Sequence, residues 1–358
     1  MGRPASEEGR LIPNGGAEGE VVHSVRTEGV DPQQSALLKK RICELGLTVE
    51  GTRLQPLVEQ LYAELEEKGI SLRPKVYLSD EWGCPNGVAV IGVPFYLPSP
   101  ELCQLEGELT GIAAEDDTEA MTYLRHEAGH AFNYAYRLYE KAEWKRYFGS
   151  FRRRYREDYR PKPFSARFVH HIPGWYAQKH PDDDFAETFA VWLTPESDWQ
   201  ERYARTPALS KLKYVDRAVR RYGRKAPLAT DEELDVPVSE LTMTLRQWYA
   251  SDNGERATRI SLPHIVDGDL EQLFPAGEGQ DATEVLEGKR RELLSAVYEW
   301  TGINRAVLRK LFGRLLERVR ALDLRIEEGQ ADARVLSAAV LLTTLAMNYE
   351  CKGRFIED

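Results

Sequence analysis

Apolar residues between Met121 and Ala135 recur at intervals of three and four: Met121, Leu124, Ala128, Ala131, Phe132 and Ala135. This spacing predicts one helix over 118–139 with a single buried stripe. Asp116, Asp117 and Thr118 stand where an N-cap and first turn need acceptors and negative charge. The same period predicts helices over 35–45 and 54–68, the second ended by Gly69, and over 140–159, 209–221 and 240–250. A further helix opens at Pro181, buries Phe185, Phe189, Trp192 and Leu193, and stops at Thr194-Pro195.

Two stretches read instead as strands, 73–79 (RPKVYLS) and 87–97 (GVAVIGVPFYL), with turn chemistry at Cys84-Pro85-Asn86-Gly87 between them. Pro94 cannot donate a ladder hydrogen bond, which makes the second an edge or bulged strand. Such an edge either holds an extended peptide by strand addition or completes a core sheet.

Three helices are expected at the C-terminal end, over 281–300, 304–323 and 331–350. Their apolar faces carry Leu286, Leu293, Leu294 and Val297, then Val307, Leu308, Leu311, Leu315 and Val319, then Leu336, Val340, Leu341, Thr344 and Leu345. The layout is α+β. It comprises a mobile tail over 1–34, a mixed domain over 35–222, a linker and mixed segment over 223–280, and a helical bundle over 281–358. Asp252-Asn253-Gly254 and Pro275-Ala276-Gly277 are turns within the linker segment.

The chain has 358 residues, 42% hydrophobic and 30% charged, which is a composition able to bury a large core. Its net charge of -10 argues against a nucleic-acid binder. No apolar leader opens the chain and no stretch has transmembrane length, so no membrane partner is expected. Cys43, Cys84, Cys103 and Cys351 are scattered, without the spacing of a zinc ribbon or a disulfide framework. Together these features make a cytoplasmic location the expectation.

The chemistry concentrates in His126-Glu127-Ala128-Gly129-His130. Histidines at i and i+4 project from one helical face one turn apart, a separation that suits two nitrogens on one zinc ion. Glu127 is rotated about 100° from His126, where it can flank a metal as general base without binding it. Gly129 costs about 1 kcal/mol of helix propensity against alanine, which suggests close approach of another backbone. In the following helix Asp183 and Glu187 share a face, so one can supply a third ligand while the other accepts the outer N–H of a ligating histidine. Asp182 and Asp184 read as helix-capping charge. His170, His171 and His180 are spare candidates for substrate contact or oxyanion stabilisation. The basic run after the first motif and the Arg305, Arg309, Lys310, Arg314, Arg318 face read as solvated charge; the alternatives are recognition of an acidic substrate or partner for the first, and docking of an acidic partner or gating of the cleft for the second.

HEAGH followed by YAxxxPxDDFAETFA resembles the gluzincin metallopeptidases, and most of all a bacterial zinc-binding family whose second motif has the form P-x-E-D-[FW]-A-E-T-[FW]-A. More distantly it is similar to the Mlc-titration-factor peptidases and the catalytic domain of anthrax lethal factor. The resemblance covers about 73–214. It implies a zincin-like domain, with Tyr176, seven residues before Asp183, as oxyanion stabiliser or proton donor, Asp183 as third zinc ligand and Glu187 behind a histidine. The family usually places glutamate at the ligand position. Aspartate is one methylene shorter, so either the ion sits nearer this helix or Glu187 binds instead.

The expected activity is zinc-dependent hydrolysis of a peptide or amide bond. Two alternatives share the same residues: a catalytically silent, zinc-stabilised interaction module, and a hydrolase of a non-protein amide conjugate.

Overall fold

A computed structural model describes residues 32–155, 160–230, 233–251, 262–263, 265–275, 277–352 and 355. The tail expected over 1–34 lies outside these residues as far as 31, as do 156–159 and the turn at Asp252-Asn253-Gly254. The described chain is mixed α/β but mostly helical. Its elements build two hydrophobic cores.

The first core begins with α1 (Pro32–Leu37) and α2 (Leu54–Glu67), which turns out of its helix at Gly69 with φ +85°. Strands β1 (Lys75–Ser79) and β2 (Val90–Pro94) follow, then α3 (Pro100–Thr110) and α4 (Asp117–Ala135). Helix α3, not expected from the sequence, has its signals in Ser99 at the N-cap, Pro100 in the first turn and Gly111 in the left-handed conformation at its end. The chain continues through α5 (Ala142–Phe148), α6 (Pro181–Leu193), α7 (Trp199–Arg202), α8 (Ala208–Tyr222) and α9 (Leu245–Ser251).

The two strands pair in parallel, from Lys75 opposite Val90 to Ser79 opposite Pro94. The Cys84–Gly87 turn therefore belongs to a connection that returns the chain along the strand, not to a hairpin. The second strand is an edge, as Pro94 led one to expect, because its sheet has two strands; that edge is nevertheless covered. All of β2 is buried, and Gly92 exchanges both of its backbone hydrogen bonds with Gly83, at 2.7 and 3.2 Å. Pro94 sits at the strand end, where its missing N–H costs little.

The basic helix expected over 140–159 is cut short. Gly149 ends α5 at φ +104°, after Trp144 and Phe148 have been buried. Part of the expected linker belongs to the first core: Leu241, Leu245 and Tyr249 are buried in it, and Ile42 and Cys43 donate backbone bonds to the carbonyls of Met243 and Leu241.

The second core holds α10 (Val266–Leu273), α11 (Ala282–Gly288), α12 (Arg290–Thr301), α13 (Arg305–Ala321) and α14 (Ala331–Lys352). The two-residue strands β3 (Gln280–Asp281) and β4 (Arg325–Ile326) pair antiparallel beside them. On α14 the buried residues are Ala338, Leu342, Leu345 and Ala346, whereas Leu336 and Val340 are exposed. That helix is apolar on most of its circumference, so periodicity could not select the inward face. Arg305 is not part of a solvated face. It lies between the cores, 3.0 Å from Glu115 and 3.5 Å from Glu106, with its guanidinium 4.8 Å from the centre of the Tyr298 ring.

Helices α4 and α6 pack backbone against backbone at Gly129. A methyl group at Gly129 would lie 2.8 Å from Cα and 2.9 Å from the carbonyl oxygen of Ala186. Those atoms are backbone and cannot rotate aside. Gly129→Ala is therefore expected to destabilise the protein by about 1–2 kcal/mol despite the better helix propensity of alanine. Urea unfolding of the two proteins measures it, and an equal or higher midpoint for the variant would contradict this packing.

Candidate metal centre

Helix α4 is held in register by a reciprocal cap: Asp116 accepts from the backbone N–H groups of Thr118 and Glu119, and Glu119 accepts from that of Asp116. It carries His126, Glu127 and His130 on the side facing α6. Helix α6 starts at Pro181 after a 3-10 turn over Tyr176–Gln178, with His180 as its N-cap. The Nδ1 atom of His180 accepts the Asp182 N–H at 3.2 Å, and its Nε2–H donates to the Arg153 carbonyl at 2.9 Å.

Every residue of α6 is buried. Its four acids therefore need partners inside the protein. Asp182 accepts from His130 Nδ1 at 3.0 Å, from Asn133 at 2.7 Å and from the Tyr134 hydroxyl. Asp184 pairs with Lys211 at 2.6 Å. Glu187 accepts from His126 Nδ1 at 2.9 Å and from the N–H groups of His171 and Ile172 at 3.1 Å each. Asp184 keeps its other oxygen, Oδ1, without a hydrogen-bond partner, and Asp183 is held more loosely still. Its Oδ1 lies 3.6 Å from His130 Nε2, and its Oδ2 is buried without a hydrogen-bond partner.

Asp182 and Asp184 are thus not simple caps, as expected from the sequence: one orients a histidine and the other binds a lysine 27 positions away. Glu187 has the supporting role. Both Glu187 oxygens are already engaged, and of the two acids it is Asp183 that groups with the histidines.

His126, His130 and Asp183 can hold a metal ion: one donor atom from each lies within 4.8 Å of the others. Both Nδ1 atoms are turned outward onto carboxylates, so the two Nε2 atoms face each other at 3.1 Å. A hydrogen bond across that gap needs a proton on one of the two nitrogens. Burial lowers the His126 pKa to about 3, with the charge on His130 pushing the same way. Burial also acts to lower that of His130, but the charge and hydrogen bond of Asp182, with Asp183 and Glu127 behind them, hold it well above the usual value. The pair therefore shares one positive charge, carried by His130. A cation bound to both Nε2 atoms would replace that proton, and the unpartnered Asp183 oxygen adds a hard anionic donor. The set of two imidazoles and a carboxylate fits zinc in type and number.

Glu127, His130, Asp182 and Asp183 line one cavity of about 350 Å³. Its other walls are Gly83, Cys84 and Asn86 from the β1–β2 connection, and Phe151, Arg153 and Tyr155 from the segment after α5. Burial raises the Glu127 pKa to about 7, with His130 opposing and Asp183 and Asp182 reinforcing the shift. A carboxylate poised near neutrality suits proton transfer. Tyr176 packs edge-on against His126 with ring centres 5.4 Å apart, and burial, then the charge of Asp183, raises its pKa well above the usual value. Its hydroxyl thus keeps its proton.

Of the spare histidines, His180 lines the cavity, and half-buried His171 donates from Nε2 to the Thr122 carbonyl at 3.0 Å. His170 packs on Trp175 with ring centres 6.2 Å apart. Sequence reasoning missed Asp182, Asn133, Tyr134 and Cys84 as parts of the site. Asn133 and Tyr134 had a signal, since both lie one turn beyond His130 on α4. Compared with family models, curated proteins and solved structures, the chain finds no match in any of the three.

The held proton gives the centre a pH dependence. His130 has a raised pKa, so it remains protonated at low pH, and its proton must leave before Nε2 can accept a cation. Affinity for zinc should therefore rise with pH until His130 titrates, by roughly tenfold per pH unit for one displaced proton. Calorimetry of zinc binding in buffers of different ionisation enthalpy reads the proton count directly. Binding without proton release across pH 6–8 would contradict the arrangement of the two histidines.

Proposed function

We propose that this protein is a zinc-dependent hydrolase of a peptide or amide bond, with the zincin-like arrangement that its two motifs resemble. The observation that carries the reading is the grouping of donor atoms from His126, His130 and Asp183 within 4.8 Å of one another, with His130 and Asp183 lining one cavity together with Glu127. Zinc held by those three residues would supply Lewis acidity, polarising a scissile carbonyl and acidifying a water in the cavity.

The protein residues divide the remaining work. Glu127 takes the proton of the attacking water and delivers it to the leaving nitrogen. Glu187 and Asp182 hold the two imidazoles in the tautomer that points Nε2 inward. Tyr176, protonated and packed on His126, is the donor available to a developing oxyanion or leaving group once its hydroxyl parts from Tyr155, to which it is hydrogen-bonded. Among the described residues, no helix is long and apolar enough to cross a membrane. The expected cytoplasmic location is part of this proposal.

Glu127→Gln separates the hydrolase from a silent, zinc-stabilised interaction module. The variant is expected to keep about one zinc per chain by elemental analysis and to lose hydrolysis of a peptide library by at least ~100-fold. Asp183→Ala should lose the metal. Zinc binding with no turnover of any peptide or amide by the wild type would favour the interaction module. A wild type that takes up no metal after zinc supplementation would overturn both.

A further inference from the structure

The loop from His170 to Tyr176 completes the metal centre with its backbone. The His171 and Ile172 N–H groups bind Glu187, which in turn orients His126. Tyr176 at the far end of the loop packs on His126 itself. Between these two anchors the chain passes through Pro173, Gly174 and Trp175, with Gly174 at φ +88° and Trp175 at φ +54°. Two left-handed residues in succession, one of them a tryptophan, form a conformation that costs free energy and needs external support.

The support comes from the second core. The turn between α12 and α13, at Thr301–Gly302, lies backbone against backbone on this loop. A methyl group on Gly174 would lie 2.9 Å from the Thr301 carbonyl oxygen and 3.2 Å from that of Gly302. A methyl group on Gly302 would lie 2.6 Å from the Gly174 nitrogen and would collide with the Pro173 carbonyl group. Gly302 has φ +60° and caps α12, whose Thr301 hydroxyl is fixed on the Val297 carbonyl at 2.6 Å. The turn is therefore built rigidly. The same face is tied to α4 by the Tyr123–Tyr298 hydroxyl pair at 2.9 Å, and to the start of α4 by Arg305 on Glu115.

We propose that Gly302 is a positioning residue of the metal centre, and that the C-terminal helical core is a structural part of the site because it presses the 170–176 loop onto Glu187 and His126. The proposal rests on the metal-centre reading only for its consequence. The loop contact itself can be tested without metal.

The test compares Gly302→Asn with Gly329→Asn. Asparagine tolerates the left-handed conformation that both glycines adopt, so strain at φ is small in each. At Gly302 the new Cβ meets the Pro173–Gly174 backbone; at Gly329, φ +79°, nothing lies within 4 Å. Two readouts are taken on full-length protein. Amide hydrogen exchange at His171 and Ile172, without metal, should be at least ~10-fold faster in Gly302→Asn than in the wild type and unchanged in Gly329→Asn. Zinc affinity should fall at least ~10-fold in Gly302→Asn alone, the size of loss expected when a group behind a metal ligand is displaced. Urea unfolding of both variants shows whether Gly302→Asn has merely weakened the helical core.

Unchanged exchange at His171 and Ile172 in a folded Gly302→Asn protein overturns the proposal. So does an equal effect of the two variants. A wild type that binds no zinc but shows the predicted exchange difference would remove the metal-centre reading and leave the loop contact established.

Discussion

The structure depends most on the burial of four carboxylates in one helix. Helix α6 has no exposed face, yet its first seven residues include Asp182, Asp183, Asp184 and Glu187. A buried carboxylate without partners is a cost no small domain can carry several times over. Each acid therefore dictates a neighbour. Asp182 requires His130, Asn133 and Tyr134 on α4; Asp184 requires Lys211 on α8; Glu187 requires His126 and a loop backbone. The relative placement of three helices and one loop follows from these demands. Asp183, whose Oδ2 is unpartnered and whose carboxylate groups with His126 and His130, marks where a cation would complete the arrangement.

Close packing makes those pairings short. Gly129 lets α4 lie on the Ala186 backbone, which brings the histidines of one helix within hydrogen-bond reach of the acids of the other. The outer hydrogen bonds turn both imidazoles the same way, and the turned imidazoles create the paired Nε2 donors. Polarity and packing thus act in sequence: the glycine sets the distance, the carboxylates set the orientation, and the orientation sets the chemistry. The same logic extends to the second core, where Gly174 and Gly302 allow two backbones to touch behind Glu187.

How much of this was legible differs from element to element. His126, Glu127 and His130 could be read because i and i+4 on one helix is a local relation, independent of the rest of the fold. Which acid joins the histidines could not be decided locally. Asp183 and Glu187 share a face of α6, and only the loop carrying His171 and Ile172, far from both motifs in pattern, engages Glu187 and so leaves Asp183 toward the donors. Asp182 was read as a cap because its position in the first turn is a sufficient local explanation. Its actual partners lie on another helix.

The sequence by itself determined the helices with strong amphipathic stripes, the two strands, the metal-type motif on α4 and the close approach at Gly129. Each of these rests on periodicity or on a single residue's intrinsic conformational cost. Tertiary structure alone decided the parallel pairing of β1 with β2, the inward face of the largely apolar α14, the placement of half-buried Arg305 between the cores and the division of labour among the acids of α6. These are relations between segments distant in the chain. Local periodicity reports only which residues seek burial, and the partner each buried charge finds depends on which surfaces the folded backbone brings together.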